Sequence, residues 1–178
     1  GIMKFIPLEL QGAFIIECEL IEDHRGFFTR TFCEHEFANQ GLENRFVQCN
    51  TSWNREKGTL RGMHYQKPPH DETKLIRCTR GGIYDVIIDL RPGSPTQGKW
   101  VGVELPANDY RMIYVPRGFA HGYQTLEPDT ETFYMVSSFY APGSEGGIRW
   151  NDPAFNISWP LPDPILSDKD RRHPDYKS

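Results

Sequence analysis

Two histidines sit in blocks whose residue types suit proton transfer beside a bound anion. His64 lies near the end of Gly58-Thr59-Leu60-Arg61-Gly62-Met63-His64-Tyr65-Gln66, and His121 ends Pro116-Arg117-Gly118-Phe119-Ala120-His121. An imidazole exchanges its proton near neutral pH without help from its surroundings. Arg61 precedes His64 in the same block, and Lys74 opens the next apolar run. A guanidinium grips phosphate through a bidentate fork and an ammonium acts as a point charge. His, Arg and Lys facing one cavity would therefore hold an anionic ligand beside a proton-transfer group. A transition metal asks for three or four His, Cys or carboxylate ligands. Gln66, in the His-x-Gln of the first block, is a poor replacement for an imidazole, and Cys18, Cys33, Cys49 and Cys78 form no CxxC pair. No metal is expected.

The elements that must position these groups read as strands. The chain has 178 residues, a length that suits a single domain over 1–178. With 16 Gly, 14 Pro and 13% aromatics, it favours short extended segments between turns over a helical bundle. Extended segments are expected at Gly12 to Leu20, Arg45 to Trp53, Trp100 to Leu105, Arg111 to Val115 and Glu131 to Tyr140. Thr73 to Leu90 carries two apolar runs around Arg80-Gly81-Gly82, which predicts a hairpin. Turn clusters such as Arg91-Pro92-Gly93-Ser94-Pro95 separate these segments. Strands at this spacing without intervening helical patterns indicate a β-sandwich or barrel. One helix is expected from Cys33 to Gln40, stopped by Gly41, and a short turn capped by Ser167. The Pro-rich stretch from Trp159 to Pro164 leads into a coil-like C-terminal strap.

A net charge of −4 with intermixed signs disfavours general binding to nucleic acid or to anionic membranes. No apolar run could span a bilayer. The start, Gly1-Ile2-Met3-Lys4-Phe5, lacks a signal-peptide run, and Gly1 reads as a cloning remnant ahead of a native Met3. The expectation is a soluble, cytoplasmic protein whose cysteines are free buried thiols.

The two histidine blocks resemble the first and second cupin motifs, with Gln66 where metal-binding cupins carry a second His. That resemblance implies an all-β, cupin-like jelly-roll fold, a β-sandwich or barrel with one or two short helices. Over nearly its whole length the chain also resembles the dTDP-4-dehydrorhamnose 3,5-epimerase family. The matching stretches include Asp23-His24-Arg25-Gly26-Phe27-Phe28, Phe46-Val47-Gln48-Cys49-Asn50, Leu60 to Gln66 and Thr73-Lys74-Leu75-Ile76-Arg77-Cys78. They continue through Tyr84-Asp85-Val86, Val115 to Gly122, Glu145 to Pro153 and Leu166-Ser167-Asp168-Lys169-Asp170.

The resemblance implies an isomerase that inverts C3 and C5 of a nucleotide-linked 4-keto-6-deoxyhexose, as in the dTDP-rhamnose synthesis that feeds lipopolysaccharide. It assigns His64 as base, Asp170 as the carboxylate that orients it, Tyr134 as proton donor and Lys74 as the cation at the enolate oxygen. Arg25, Gln48, Asn50, Arg61, His121, Glu145 and Lys169 fall on substrate-binding positions. The Arg25-type residue reaches the neighbouring subunit's site, so a homodimer is implied, with a nucleotide sugar as ligand and no cofactor.

Composition alone would place Tyr134 in the core and Asp170 in a solvated tail. Tyr65, Trp53 and Phe119 read as packing residues, and His24, His35, His70 and His173 as surface residues. Arg30 stands where the family commonly has an acidic residue, Met135 where Lys often follows the tyrosine, and the loop from Lys67 to Glu72 departs from the usual Gly-containing form. These departures bear on which nucleotide and sugar are bound. The competing readings are a single-centre epimerase on another nucleotide sugar, a metal-dependent cupin oxygenase and a non-catalytic sugar-nucleotide-binding cupin.

Overall fold

The computed structural model describes residues 3–177; Gly1, read above as a cloning remnant, lies outside them. Two antiparallel sheets face each other. The larger runs in the spatial order β1 (Met3–Pro7), β2 (Phe14–Cys18), β10 (Arg111–Val115), β7 (Lys74–Arg80), β12 (Thr130–Val136) and β5 (Gln48–Asn54). The smaller runs β13 (Glu145–Gly147), β6 (Leu60–Gln66), β11 (Phe119–Thr125), β8 (Gly82–Asp89) and β9 (Trp100–Pro106). A two-stranded arm, β3 (Ile21–Asp23) with β4 (Gly26–Phe28), stands apart with all its side chains exposed.

Alternation explains the layers, because successive side chains on a strand face opposite ways. Ile76, Cys78, Ile113 and Val115 of the large sheet meet Ile83, Ile87, Leu105 and Phe119 of the small sheet in one buried cluster. Each such fully buried aliphatic side chain stabilises the fold by roughly 1.5–3 kcal/mol. The outer face of the large sheet is covered around Phe37 of helix α1 (Glu34–Asn39), which packs edge-on against Phe5, Phe32 and Phe46. Met63, Val86, Ile88 and Ala120 on the outer face of the small sheet are covered by the chain after Ile148, through Phe155, Trp159 and Tyr176. Among the described residues no helix is long and apolar enough to cross a membrane.

The expected hairpin at Arg80-Gly81-Gly82 does not form. β7 pairs with β10 and β12, whereas β8 pairs with β11 and β9. Both runs bury their apolar residues in the same core from opposite sides, so the chain must cross between sheets there. Gly81 makes the crossing at φ +79°, under Thr130, where a Cβ would collide. β12 is also shorter than expected, ending at Val136, and β1, β3, β4, β6, β11 and β13 are additional strands, β6 and β11 being the ones that carry His64 and His121. The helix predicted before Gly41 is present as α1, and Ser167 caps α2 (Asp168–Arg171) by accepting a hydrogen bond from the Asp170 amide. The four cysteines are free, but only Cys78 is buried and Cys49 is exposed.

Candidate active site

A cavity of about 440 Å³ opens between the two sheets, a volume typical of small-molecule sites. His64 and Gln66 of β6, with Glu145 and Gly147 of β13, form one wall; Gln48 and Asn50 of β5, Lys74 of β7 and Tyr134 of β12 form the other. His64 and Tyr134 therefore enter from opposite sheets. Lys169 of α2 and Tyr140 complete the rim.

Asp170 stands behind His64. Its Oδ1 accepts a hydrogen bond from His64 Nε2 at 2.7 Å, and its Oδ2 accepts one from the Gly62 amide at 3.0 Å. The carboxylate is an acceptor, so the proton of a neutral His64 lies on Nε2 and Nδ1 keeps the free lone pair. The C-terminal segment makes this meeting possible. Thr59 bridges to Ile165, and the Leu60 amide donates to the Ile165 carbonyl, which delivers α2 to the edge of β6. Burial works against the charge of Asp170. The His64 hydrogen bond and charge, the Gly62 amide and His173 outweigh burial and hold its pKa below the ordinary aspartate value.

Lys74 is buried, and burial pulls its pKa below the ordinary lysine value; Glu72, 3.8 Å away, and Asp85 pull the other way. Tyr134 is pushed up by burial and by the neighbouring Tyr123 and Glu72, so its phenol stays protonated at neutral pH. At the rim, Lys169 Nζ donates to Glu145 Oε2 at 2.9 Å and Tyr140 donates to Glu145 Oε1. The arrangement offers an imidazole backed by a carboxylate, a protonated phenol facing it, and a buried amine with a nearby countercharge. Such a set can remove a proton from one face of a carbon acid, return one to the other face and stabilise charge on an oxygen between them.

Of the residues expected at the site, His64, Lys74, Tyr134, Gln48, Asn50, Glu145 and Lys169 line the cavity, with Asp170 directly behind. Three do not line it. Arg61 donates to Asn54 Oδ1 and to the Trp53 carbonyl. His121 is buried and bound to Asp85 at 2.7 Å, where burial lowers its pKa despite that carboxylate. Arg25 lies exposed on the β3–β4 arm, paired to Asp23. Trp53, read as a packing residue, is largely exposed and donates to Asp129, whereas Phe119 is in the core.

His173 is not a surface residue. It lines the cavity, its Nε2 lies 3.4 Å from Asp170 Oδ1, and its side chain is only 12% exposed. No local sequence pattern marks it: His173 follows α2, three residues after Asp170, and is carried to the cavity by the docking of that carboxylate on His64. Tyr65 and Glu72 also line the cavity. His64, Asp170 and His173 place one ligand atom each within 4.8 Å of one another, but a His64 Nε2 that donates its proton to Asp170 has no lone pair to offer a metal ion. The pairing of Asp170 Oδ1 with His64 Nε2 already gives those atoms a hydrogen-bonded role.

Residues 7–178 match the sequence profile of the family dTDP-4-dehydrorhamnose 3,5-epimerase. A curated protein of that name from Shigella flexneri is 44% identical over 169 residues, covering 94% of this chain and 93% of its own. The structure is similar to that of dTDP-4-dehydrorhamnose 3,5-epimerase from Bacillus anthracis with TDP and PPi bound, with TM-score 0.95 and 44% identity, covering 98% of this chain and all (100%) of the other. It is also similar to dTDP-6-deoxy-D-glucose-3,5-epimerase from Legionella pneumophila in complex with dTDP-4-keto-L-rhamnose. There the TM-score is 0.91 and the identity 36%, over 99% of this chain and 100% of the other.

Proposed function

This chain, a cupin-like jelly roll, belongs to the dTDP-4-dehydrorhamnose 3,5-epimerase family, and from that premise we propose that it inverts C3 and C5 of a dTDP-linked 4-keto-6-deoxyhexose. The observation that carries the reading is the placement of His64, backed by Asp170, and Tyr134 on opposite sheets around one cavity.

A C–H beside a ketone is acidic because its anion delocalises onto oxygen as an enolate. His64 Nδ1 takes that proton. Asp170 fixes the tautomer and stabilises the imidazolium that forms. Lys74 steadies the oxygen as negative charge develops there. Tyr134 returns a proton from the other face, so the centre inverts, and the same groups act at both carbons flanking the carbonyl. Each step is a proton transfer; the imidazolium loses its proton to solvent and the phenolate regains one before the second carbon reacts, so the sequence balances without a redox partner. Gln48, Asn50, Glu145 and Lys169 bind the substrate along the cavity and its rim, with Arg61 and His121 supporting from behind. Arg25, exposed on its arm, enters the cavity of a second copy in a homodimer. The chain works as one domain in the cytoplasm.

The test is His64→Ala, which is expected to abolish proton exchange into the substrate while calorimetric binding of dTDP survives. Retained exchange would remove His64 from the base role.

A further inference from the structure

Asp170 Oδ1 is faced by two imidazoles. His64 Nε2 lies 2.7 Å away and His173 Nε2 3.4 Å away. The rings stand nearly perpendicular, with centroids 6.4 Å apart. His173 Nε2 is buried and, beyond this long approach to Asp170, has no hydrogen-bond partner among the described residues. Burying a polar nitrogen with so weak a partner costs stability.

The fold makes room for this ring specifically. On β13, Gly147 is the register partner of His64. A Cβ on Gly147 would lie 2.0 Å from Cε1 of His173, so the imidazole occupies the volume that any side chain there would claim. Arg149 fixes the backbone behind it: Nη1 donates to the His173 carbonyl, and Nη2 pairs with Asp175.

We propose that His173 is a positioning residue, a second imidazole held over Gly147 against the carboxylate oxygen that His64 uses, and that through Asp170 it tunes the proton affinity of the base. The proposal rests on the epimerase reading for its catalytic consequence, though not for its geometry.

The sign follows from sharing. One carboxylate oxygen faces two rings, so the charge that accompanies one imidazolium disfavours the other; a neutral His173, with its N–H towards the oxygen, also draws density from it. Both effects weaken proton binding by the His64–Asp170 pair. His173 itself is lowered by burial, against the pull of Asp170, with the His64 and Lys169 charges adding to burial. The other charged groups around the cluster are engaged elsewhere: Lys169 with Glu145, Arg61 with Asn54, and His121 with Asp85 on the neighbouring strands. Lys74 has Glu72 beside it.

The experiment compares His173→Phe, which keeps a ring without nitrogen, with His173→Gln, which keeps an N–H donor without a titratable ring. In His173→Phe the acid limb of kcat/KM is expected to move up by about half to one pH unit, a roughly three- to tenfold loss of rate on that limb. His173→Gln is expected to recover part of that shift. An acid limb that superimposes on the parent's, with kcat merely scaled, would show a purely structural ring and overturn the proposal. A second measurement needs neither substrate nor variant: an NMR titration of the imidazole Cε1–H signals in the unaltered protein. Coupled titration of the His173 signal with the His64–Asp170 pair is expected, and independent titration would overturn the proposal even if the chain acts on a different sugar.

Discussion

Asp170 Oδ1 and His64 Nε2 lie 2.7 Å apart although 106 positions separate them in the chain. The C-terminal segment crosses the small sheet, pairs beside Thr59 and turns inward at α2. Asp170→Asn keeps the shape and removes the charge. Without it the imidazolium loses its counterion and the Nε2–H tautomer its acceptor of choice. The expected outcome is a fall in kcat of about 10²- to 10⁴-fold with little change in dTDP affinity. Steady-state kinetics with calorimetry check both halves.

Tyr134 enters from the facing sheet, so its removal should separate proton abstraction from inversion. In Tyr134→Phe the base still opens the C–H bond, and deuterium from solvent still enters the substrate. Net inversion is expected to fall by about 10²-fold or more. NMR of the recovered sugar distinguishes label without inversion from loss of both, which would place Tyr134 outside the donor role.

Lys74 is expected to set the alkaline side of the pH profile. Burial lowers its pKa, and Glu72 and Asp85 oppose that fall. The enolate needs the charged amine, so kcat/KM is expected to decline on an alkaline limb centred below the ordinary lysine value. Tyr134, pushed the other way by burial, is not the group that limits it. Removing a negative neighbour destabilises the ammonium, so Glu72→Gln should move the limb to lower pH by about one unit. A limb unmoved by Glu72→Gln would count against Lys74 as the titrating group.

Legibility from sequence divided along physical lines. Alternation and turn chemistry mark strands such as Trp100–Pro106 and Arg111–Val115, and Gly41 and Ser167 mark the helix boundaries. Pairing partners were not legible at Gly81, because a glycine turn between two apolar runs serves a hairpin or a sheet crossing equally well. Here burial of Ile76 and Ile83 in one core decides for the crossing. Residue type and spacing point to His64 and Lys74 as a proton-transfer group beside a cation, whereas Tyr134 is reached only through the family resemblance. Composition would have put Tyr134 in the core, and the ring does pack partly against it. His173 was missed because its meaning depends on where Asp170 docks, a tertiary fact with no local pattern.

Arg25 lies on the exposed β3–β4 arm, away from this chain's own cavity. Mixing subunits tests the proposed exchange. Arg25→Ala and His64→Ala proteins are each expected to be impaired. A heterodimer of the two carries one site with His64 from one chain and an intact Arg25 from the other. Activity is expected to return after unfolding and co-refolding of the pair, to about a quarter of the wild-type level per subunit from random mixing in a dimer. No recovery would place Arg25 in its own subunit's site or outside the site.

The central claim is that the imidazole and the phenol move protons at both carbons flanking a ketone. Incubation with dTDP-4-keto-6-deoxyglucose in D2O tests it most directly, followed by NMR of the sugar. Deuterium at both C3 and C5, with the rhamno configuration in the product, is the predicted result. Label at C3 alone would mean a single-centre epimerase, and no label at either carbon from folded protein would contradict the account.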